Sequence, residues 1–239
     1  MQIWTYWDDE NIPEVVNKCI SSWKRHNPGY IVNILNKKNT KHLHGLKHGT
    51  SPNRYSDYVR LDYLSKYGGI WIDASIFLNE SLDWVQNDSE FTGYYIDKFT
   101  ITPTSPVVES WFLSCPSNSR FIQNWRDEFF RMEEFETVDE YLEDVKRLGV
   151  DFSKIEGPNY LAIHVSAQKI IQKNEPYNLT LFKAEDDAFK YLEDNAWNSD
   201  NAVKEFCNGK YRNQKIIKMR GLERNLVKTC EELGITYDS

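Results

Sequence analysis

The stretch SDYVRLDYLSKYGGIWIDASI, residues 56–76, decides how this chain is read. Tyr55, Tyr58, Val59, Leu61, Leu64 and Tyr67 recur with a helical period, which predicts a helix over 53–67. Gly68-Gly69 stops it. The apolar run Ile70-Trp71-Ile72 then reads as a buried strand, and it ends at a carboxylate, Asp73. In open α/β sheets ligands bind beyond the C-terminal ends of strands, so an acid there is a candidate functional residue. Asp57 and Arg60 are three apart and project from one helical face, a spacing that also suits an ordinary surface salt bridge.

Upstream, residues 2–7 (QIWTYW) are an aromatic, strand-forming run closed by the acidic turn Asp8–Glu10. Pro13 opens an amphipathic helix over 13–25, Asn27-Pro28-Gly29 makes a turn, and 30–35 is a second strand. Strand, helix and strand in this order indicate a parallel α/β fold. Residues 36–50 carry four Lys and three His without an acid, an exposed basic loop. The spacing of His42, His44 and His48 fits no regular element well as a metal site.

Downstream, 90–115 is strand-rich, with Pro103 and Pro106 keeping the strands short, and 119–132 is helical. Ten acids against three bases between Asp127 and Asp151 describe a solvated helical face. Gly157-Pro158 begins a helix reaching about 172, and 186–197 forms another. Residues 204–228 reverse the charge, with eight Lys/Arg and two Glu. We expect one α/β domain over 1–239, a mostly parallel sheet flanked by helices, with a helical C-terminal third. Within it 1–115 is the ligand-binding half and 116–239 the remainder.

Composition excludes several classes. The 239 residues are 40% hydrophobic and 27% charged, ordinary for a globular protein. Mean hydropathy is -0.64 and no run approaches the ~18 apolar residues of a membrane span. The opening MQIWTYWDDENIP lacks a basic segment and a long apolar core, so no secretory signal is expected and the location is expected to be cytoplasmic. A net charge of -7 disfavours general nucleic-acid binding. Cys19, Cys115, Cys207 and Cys230 lie far apart, as expected of buried reduced thiols. The sequons at Asn79, Asn87 and Asn178 are read as chance matches. The 14% aromatic content suits a core of large side chains as well as stacking on sugars or bases.

The pattern S-D-Y-x-R-L-x-x-L-x-x-Y-G-G-I-W-I-D-A-S resembles the signature of the capsular polysaccharide synthesis proteins. These are related to sugar transferases with a D-x-D motif and, more distantly, to the large clostridial glucosylating toxins. The I-W-T-Y-W start, the I-P-E-V-V helix and S-W-x-x-x-N-P-G-Y add to the likeness, which is specific over residues 1–80. It implies a GT-A fold and a glycosyltransferase acting on a nucleotide-activated sugar, UDP-sugar foremost. The related families retain configuration, so retention is expected. The acceptor would be an oligosaccharide or a lipid-linked glycan.

The resemblance also implies roles. Trp7 would stack on uracil, with Thr5 and Tyr6 along the base and ribose; Asp57 would hold hydroxyls and Arg60 the donor sugar and phosphate. Asp73 matches the first acid of the motif, and Ser75 stands where the second acid belongs. Asp73 is expected to hold Mn²⁺ or Mg²⁺ against the pyrophosphate, with Ser75 a weaker ligand. Lys215, Lys218 and Arg220 are candidates to close over the pyrophosphate; the other readings are an exposed basic helix that balances the acidic segment, and attraction to an anionic membrane carrying a lipid-linked acceptor. Glu109, in V-V-E-S-W, is a candidate catalytic acid on the acceptor side, with Trp111 beside it for sugar stacking. His164 is either a packed histidine or a metal or phosphate contact. The missing second acid also motivates an alternative, a glycan-binding protein on a transferase fold. A nucleotidyltransferase is weaker, because WTYWDDENIP has no glycine for a phosphate loop.

Overall fold

Strand β1 (Gln2–Tyr6) lies between two parallel neighbours, β2 (Ile31–Leu35) and β3 (Gly69–Ile72). Gln2 is opposite Ile31, and Trp4 is opposite Trp71. This computed structural model describes residues 1–173 and 176–232. The next strand outward from β3 is β6 (Val107–Cys115), antiparallel to it; β5 (Phe91–Ile96) runs antiparallel to β6, and β7 (Leu179–Lys183) lies at the edge. The order is β2-β1-β3-β6-β5-β7. All nine residues of β6 are buried, as befits a strand covered on both faces.

The chain forms two compact units. The first comprises Met1–Asp8, Ile31–Ile72 and Asn87–Leu181, and holds the large sheet with its helices α2 (Pro52–Tyr67), α3 (Arg120–Phe130), α4 (Val138–Arg147) and α5 (Ala162–Lys173). Ser51 caps α2 by accepting from the Arg54 N–H, with Pro52 in the first turn. At the other end Gly68 has φ 60°, and a Cβ there would meet the Ser117 nitrogen at 2.4 Å, so only glycine makes this exit. The acidic stretch forms α4, opened by a capping box between Thr137 and Glu140, with Tyr141, Leu142 and Val145 buried.

The second unit comprises Asp9–Tyr30, Asp73–Gln86 and the described residues from Phe182 onward. Here β4 (Ile76–Leu78) pairs antiparallel with β8 (Ile216–Lys218), Ile76 opposite Lys218. Around them lie α1 (Glu14–His26), α6 (Lys190–Glu193), α7 (Ser199–Cys207) and α8 (Gly221–Glu232). Helix α1 buries Val15, Val16, Cys19, Ile20 and Trp23, and Trp23 Nε1 donates to the Ile76 carbonyl at 2.7 Å.

The α/β architecture is the one expected, and the C-terminal third is largely helical. It also carries two short strands, β7 and β8, that were not expected there. The helix expected from 157 starts at Ala162, after a turn, and the one expected over 186–197 contracts to α6. Among the described residues no helix is long and apolar enough to cross a membrane. Cys19, Cys115 and Cys207 are buried, the side chain of Cys230 lies outside the described ones, and burial pushes the Cys115 thiol up to about 12.

Candidate functional site

In the first unit the chain passes from β1 to β2 on one side and to β3 on the other. This reversal marks the crevice where α/β sheets bind ligands. At the C-terminal end of β1, Thr5 is fully buried and its Oγ1 has no hydrogen-bond partner among the described residues. The Tyr6 ring lies 5.5 Å from that of Tyr55, and its hydroxyl donates to the Asp8 carboxylate. Burial, and then that bond, push the Tyr6 phenol well above its ordinary value. Trp7 follows directly, half-buried, its backbone N–H on the Leu35 carbonyl at 2.9 Å. Trp4 is different: its Nε1 donates to the Gly68 carbonyl at 2.9 Å and its ring packs on Tyr63 and Tyr67. Trp4 is thus a core residue, and Trp7 is the indole of this strand end with an accessible surface.

Asp57 and Arg60 form a buried pair instead of a surface bridge, with N–O 3.2 Å. The guanidinium donates to the Ser110 carbonyl at 2.6 Å, Ser110 Oγ at 2.8 Å and Ser56 Oγ at 3.2 Å, and lies 5.2 Å from the centre of the Trp71 ring. Next to Ser110, Glu109 is buried and meets His164 Nε2 at 3.1 Å. His164 Nδ1 is buried with no hydrogen-bond partner among the described residues. Trp111, expected to face a sugar, is 4% exposed and stacks on Tyr94 at 4.8 Å, so it is a core ring.

Sequence reading missed a second buried carboxylate on the quoted helix. Asp62 accepts from Lys66 at 2.7 Å, meets His42 Nε2 at 2.7 Å, and lies 3.5 Å from Arg126. The i,i+4 spacing of Asp62 and Lys66 was the available signal. Burial opposes ionisation of Asp62, yet the bonds from Lys66 and His42 hold its carboxyl below the ordinary value. With His42 on Asp62, His44 on the Lys37 carbonyl and His48 on the Phe135 carbonyl, the three histidines have separate partners.

In the second unit the motif Asp73-Ala74-Ser75 holds a cation of the chain's own. Lys218 Nζ lies 2.8 Å from Asp73 Oδ2 and 3.0 Å from Ser75 Oγ. The Lys218 and Asp73 side chains are 11% and 24% exposed. The Lys218 backbone is fixed as well: its N–H donates to Ala188, its carbonyl accepts from Tyr191 Oη, and the Met219 N–H donates to the Ser75 carbonyl. Lys215 is placed elsewhere, its ammonium 5.7 Å from the Phe182 ring centre. Arg220 is held by the fully buried Glu223 at 2.6 Å.

The expected Mn²⁺ or Mg²⁺ meets a poor donor set in these residues. One carboxylate and one hydroxyl face the same point, and an ammonium already bonds both. At an effective dielectric of 20, a divalent ion ~4 Å from that ammonium would feel on the order of 8 kcal/mol of repulsion. Among the described residues no group of three or more His, Cys, Asp or Glu is arranged to hold a metal, and His164, also expected as a ligand, is paired with Glu109. The residues present do not fit a resident divalent ion.

Comparison with known proteins finds relatives of the chain. The chain is similar to the O-glycosyltransferase braB of Annulohypoxylon truncatum, 27% identical over 155 residues, 54% of this chain and 37% of that protein. It is also similar to the glycosyltransferase afumC of Aspergillus fumigatus, 23% identical over 152 residues, 53% of this chain and 39% of that protein. The matches thus cover about two fifths of the length of these relatives. Among solved structures, a glycosyltransferase involved in glycosylation of the major capsid of PBCV-1 superposes with a TM-score of 0.49 at 8% identity, covering 97% of this chain and 98% of that one. Residues 1–142, more than half of the chain and including both the β1 exit and the D-A-S motif, match one family throughout, and the chain belongs to the capsular polysaccharide synthesis protein family.

Proposed function

We propose that this chain is a glycosyltransferase that moves a sugar from a nucleotide-sugar donor, a UDP-sugar foremost, to an oligosaccharide or lipid-linked glycan, with retention. The observation that carries the reading is the reversal of strand order at β1. The chain leaves β1 through Trp7, the position to which the family resemblance gives the base platform. Family membership and the glycosyltransferase relatives support it.

In the reaction the bond between the anomeric carbon and the β-phosphate oxygen breaks, its electron pair going to that oxygen. The acceptor oxygen bonds to the carbon, and its proton passes to the departing phosphate. The growing charge on the diphosphate is what the site must stabilise. In this reading Trp7 supplies the base platform, with Thr5 and Tyr6 shaping it from below. Arg60, engaged by Ser110 and Asp57, acts as a positioning residue, and Glu109 is an acceptor-side carboxylate oriented by His164. A cytoplasmic location fits the reduced cysteines, and the exposed cations Lys204, Arg212 and Lys228 would serve peripheral contact with an anionic membrane that carries the acceptor.

A thermal-shift series with nucleotide sugars, followed by chromatography of released nucleotide, tests this. One donor should stabilise the protein and be hydrolysed slowly without acceptor. Binding of a glycan with no nucleotide-sugar turnover would instead favour a binding module on this fold.

A further inference from the structure

We infer that Lys218 takes the place of the divalent cation, so that its ammonium, held by Asp73 and Ser75, binds the donor's diphosphate directly. This rests on the nucleotide-sugar reading above and assigns the leaving-group chemistry within it.

Three observations carry the inference. First, an ammonium has three N–H donors, and Lys218 directs two of them to Asp73 Oδ2 and Ser75 Oγ, the oxygens that a motif-bound metal would need. No third partner is found among the described residues, and the partly exposed pair leaves that proton for a phosphate oxygen. Second, the lysine is built in and not draped over the site. Pairing of Ile76 with Lys218 puts residue 218 beside the motif by strand register, and the bonds to Ala188 and Tyr191 fix its backbone. Third, the charge explains the departure at residue 75. One carboxylate and one ammonium are neutral together, whereas a second acid would leave a net negative site that attracts a divalent ion. A serine there keeps the site suited to a lysine.

As the anomeric C–O bond breaks and the electron pair moves onto the diphosphate, the charge-assisted N–H···O bond strengthens, which is the work a metal would do.

The test measures binding as well as turnover. UDP is titrated into the wild type in excess EDTA and again with Mn²⁺; the affinities should agree within about twofold, and donor hydrolysis should survive EDTA. Lys218→Met should weaken UDP binding by about tenfold or more in EDTA, and Lys218→Arg should retain most of it. Circular dichroism checks that both variants fold. Separately, Mn²⁺ alone is titrated into the wild type, Lys218→Met and Ser75→Asp. The wild type should bind most weakly, above about 1 mM, because its motif is occupied. A tenfold or greater tightening of UDP by Mn²⁺ in the wild type, or loss of hydrolysis in EDTA, overturns the lysine assignment. If no form binds UDP, the UDP-sugar reading fails, and the Mn²⁺ titration still decides: tighter or equal Mn²⁺ binding in the wild type relative to Lys218→Met rejects the assignment.

Discussion

Two carboxylate–cation pairs in this molecule have the same chemistry and opposite surroundings. Asp57–Arg60 is buried, and its guanidinium also holds Ser110 and Ser56 and lies over Trp71. Asp73–Lys218 is the shorter pair, 2.8 Å, partly open, and among the described residues its ammonium has no partner beyond the motif's two oxygens. A cation whose donors are all engaged by the protein holds the protein together. A cation with a donor in reserve can hold a ligand. Burial and saturation separate the two roles, although the sequence shows an acid and a base in both cases.

The comparison breaks first, and with the largest effect, at Arg60. Arg60→Ala removes the buried cation beside Asp57 together with its bonds to Ser110 and Ser56, and should cost about 3–5 kcal/mol in urea unfolding. Arg60→Lys should recover only part, because a single ammonium cannot match the fork. An unfolding midpoint that stays near wild type would show the pair to be as dispensable to the fold as a surface bridge.

Next is Asp73→Ala, expected to lower donor turnover by about a hundredfold or more, ~2.7 kcal/mol of barrier, with stability nearly unchanged. Because Asp73 acts through Lys218, the double variant with Lys218→Met should be little worse than either alone. Additive losses would mean the two side chains act separately.

Trp7→Ala should weaken UDP binding by ~1–3 kcal/mol without destabilising the fold, while Trp4→Ala should do the reverse. Calorimetry and thermal unfolding on the same two variants decide which indole is the platform.

The smallest expected effect is on pH dependence. The folded-state values of Asp62 and Glu223 are both lowered, burial opposing ionisation and bonds from Lys66 and Arg220 overcoming it. Their stabilisation is therefore present above the unfolded-state values of ~4 and is lost as pH falls through the lower folded-state values. Urea midpoints between about pH 5 and 3 should decline, and Asp62→Asn and Glu223→Gln should each flatten part of that slope.

Much of this was legible beforehand. The helical period over 53–67, the Gly68-Gly69 exit and the apolar strand after it came through because several residues repeat one signal. Burial of Asp57 and Arg60 did not come through, since i,i+3 spacing is the same on a wet or a dry face and Ser110 lies 50 residues away. Strand β8 was hidden for a related reason. Three residues inside a basic run have no periodicity of their own, and their state is set by the edge of β4, far off in sequence. Hence Lys218 read as one of several C-terminal cations, when register alone singles it out.

The sequence separation of 145 residues between Lys218 and Asp73 has a consequence in time. At about 5–20 residues per second, a ribosome makes Asp73 roughly 7–30 s before Lys218. During that interval the nascent chain carries the motif without its countercharge and β4 without its partner strand. Translation stopped before residue 216 would leave a chain with the large sheet encoded in full and the diphosphate-binding cation missing, folded in part and inactive.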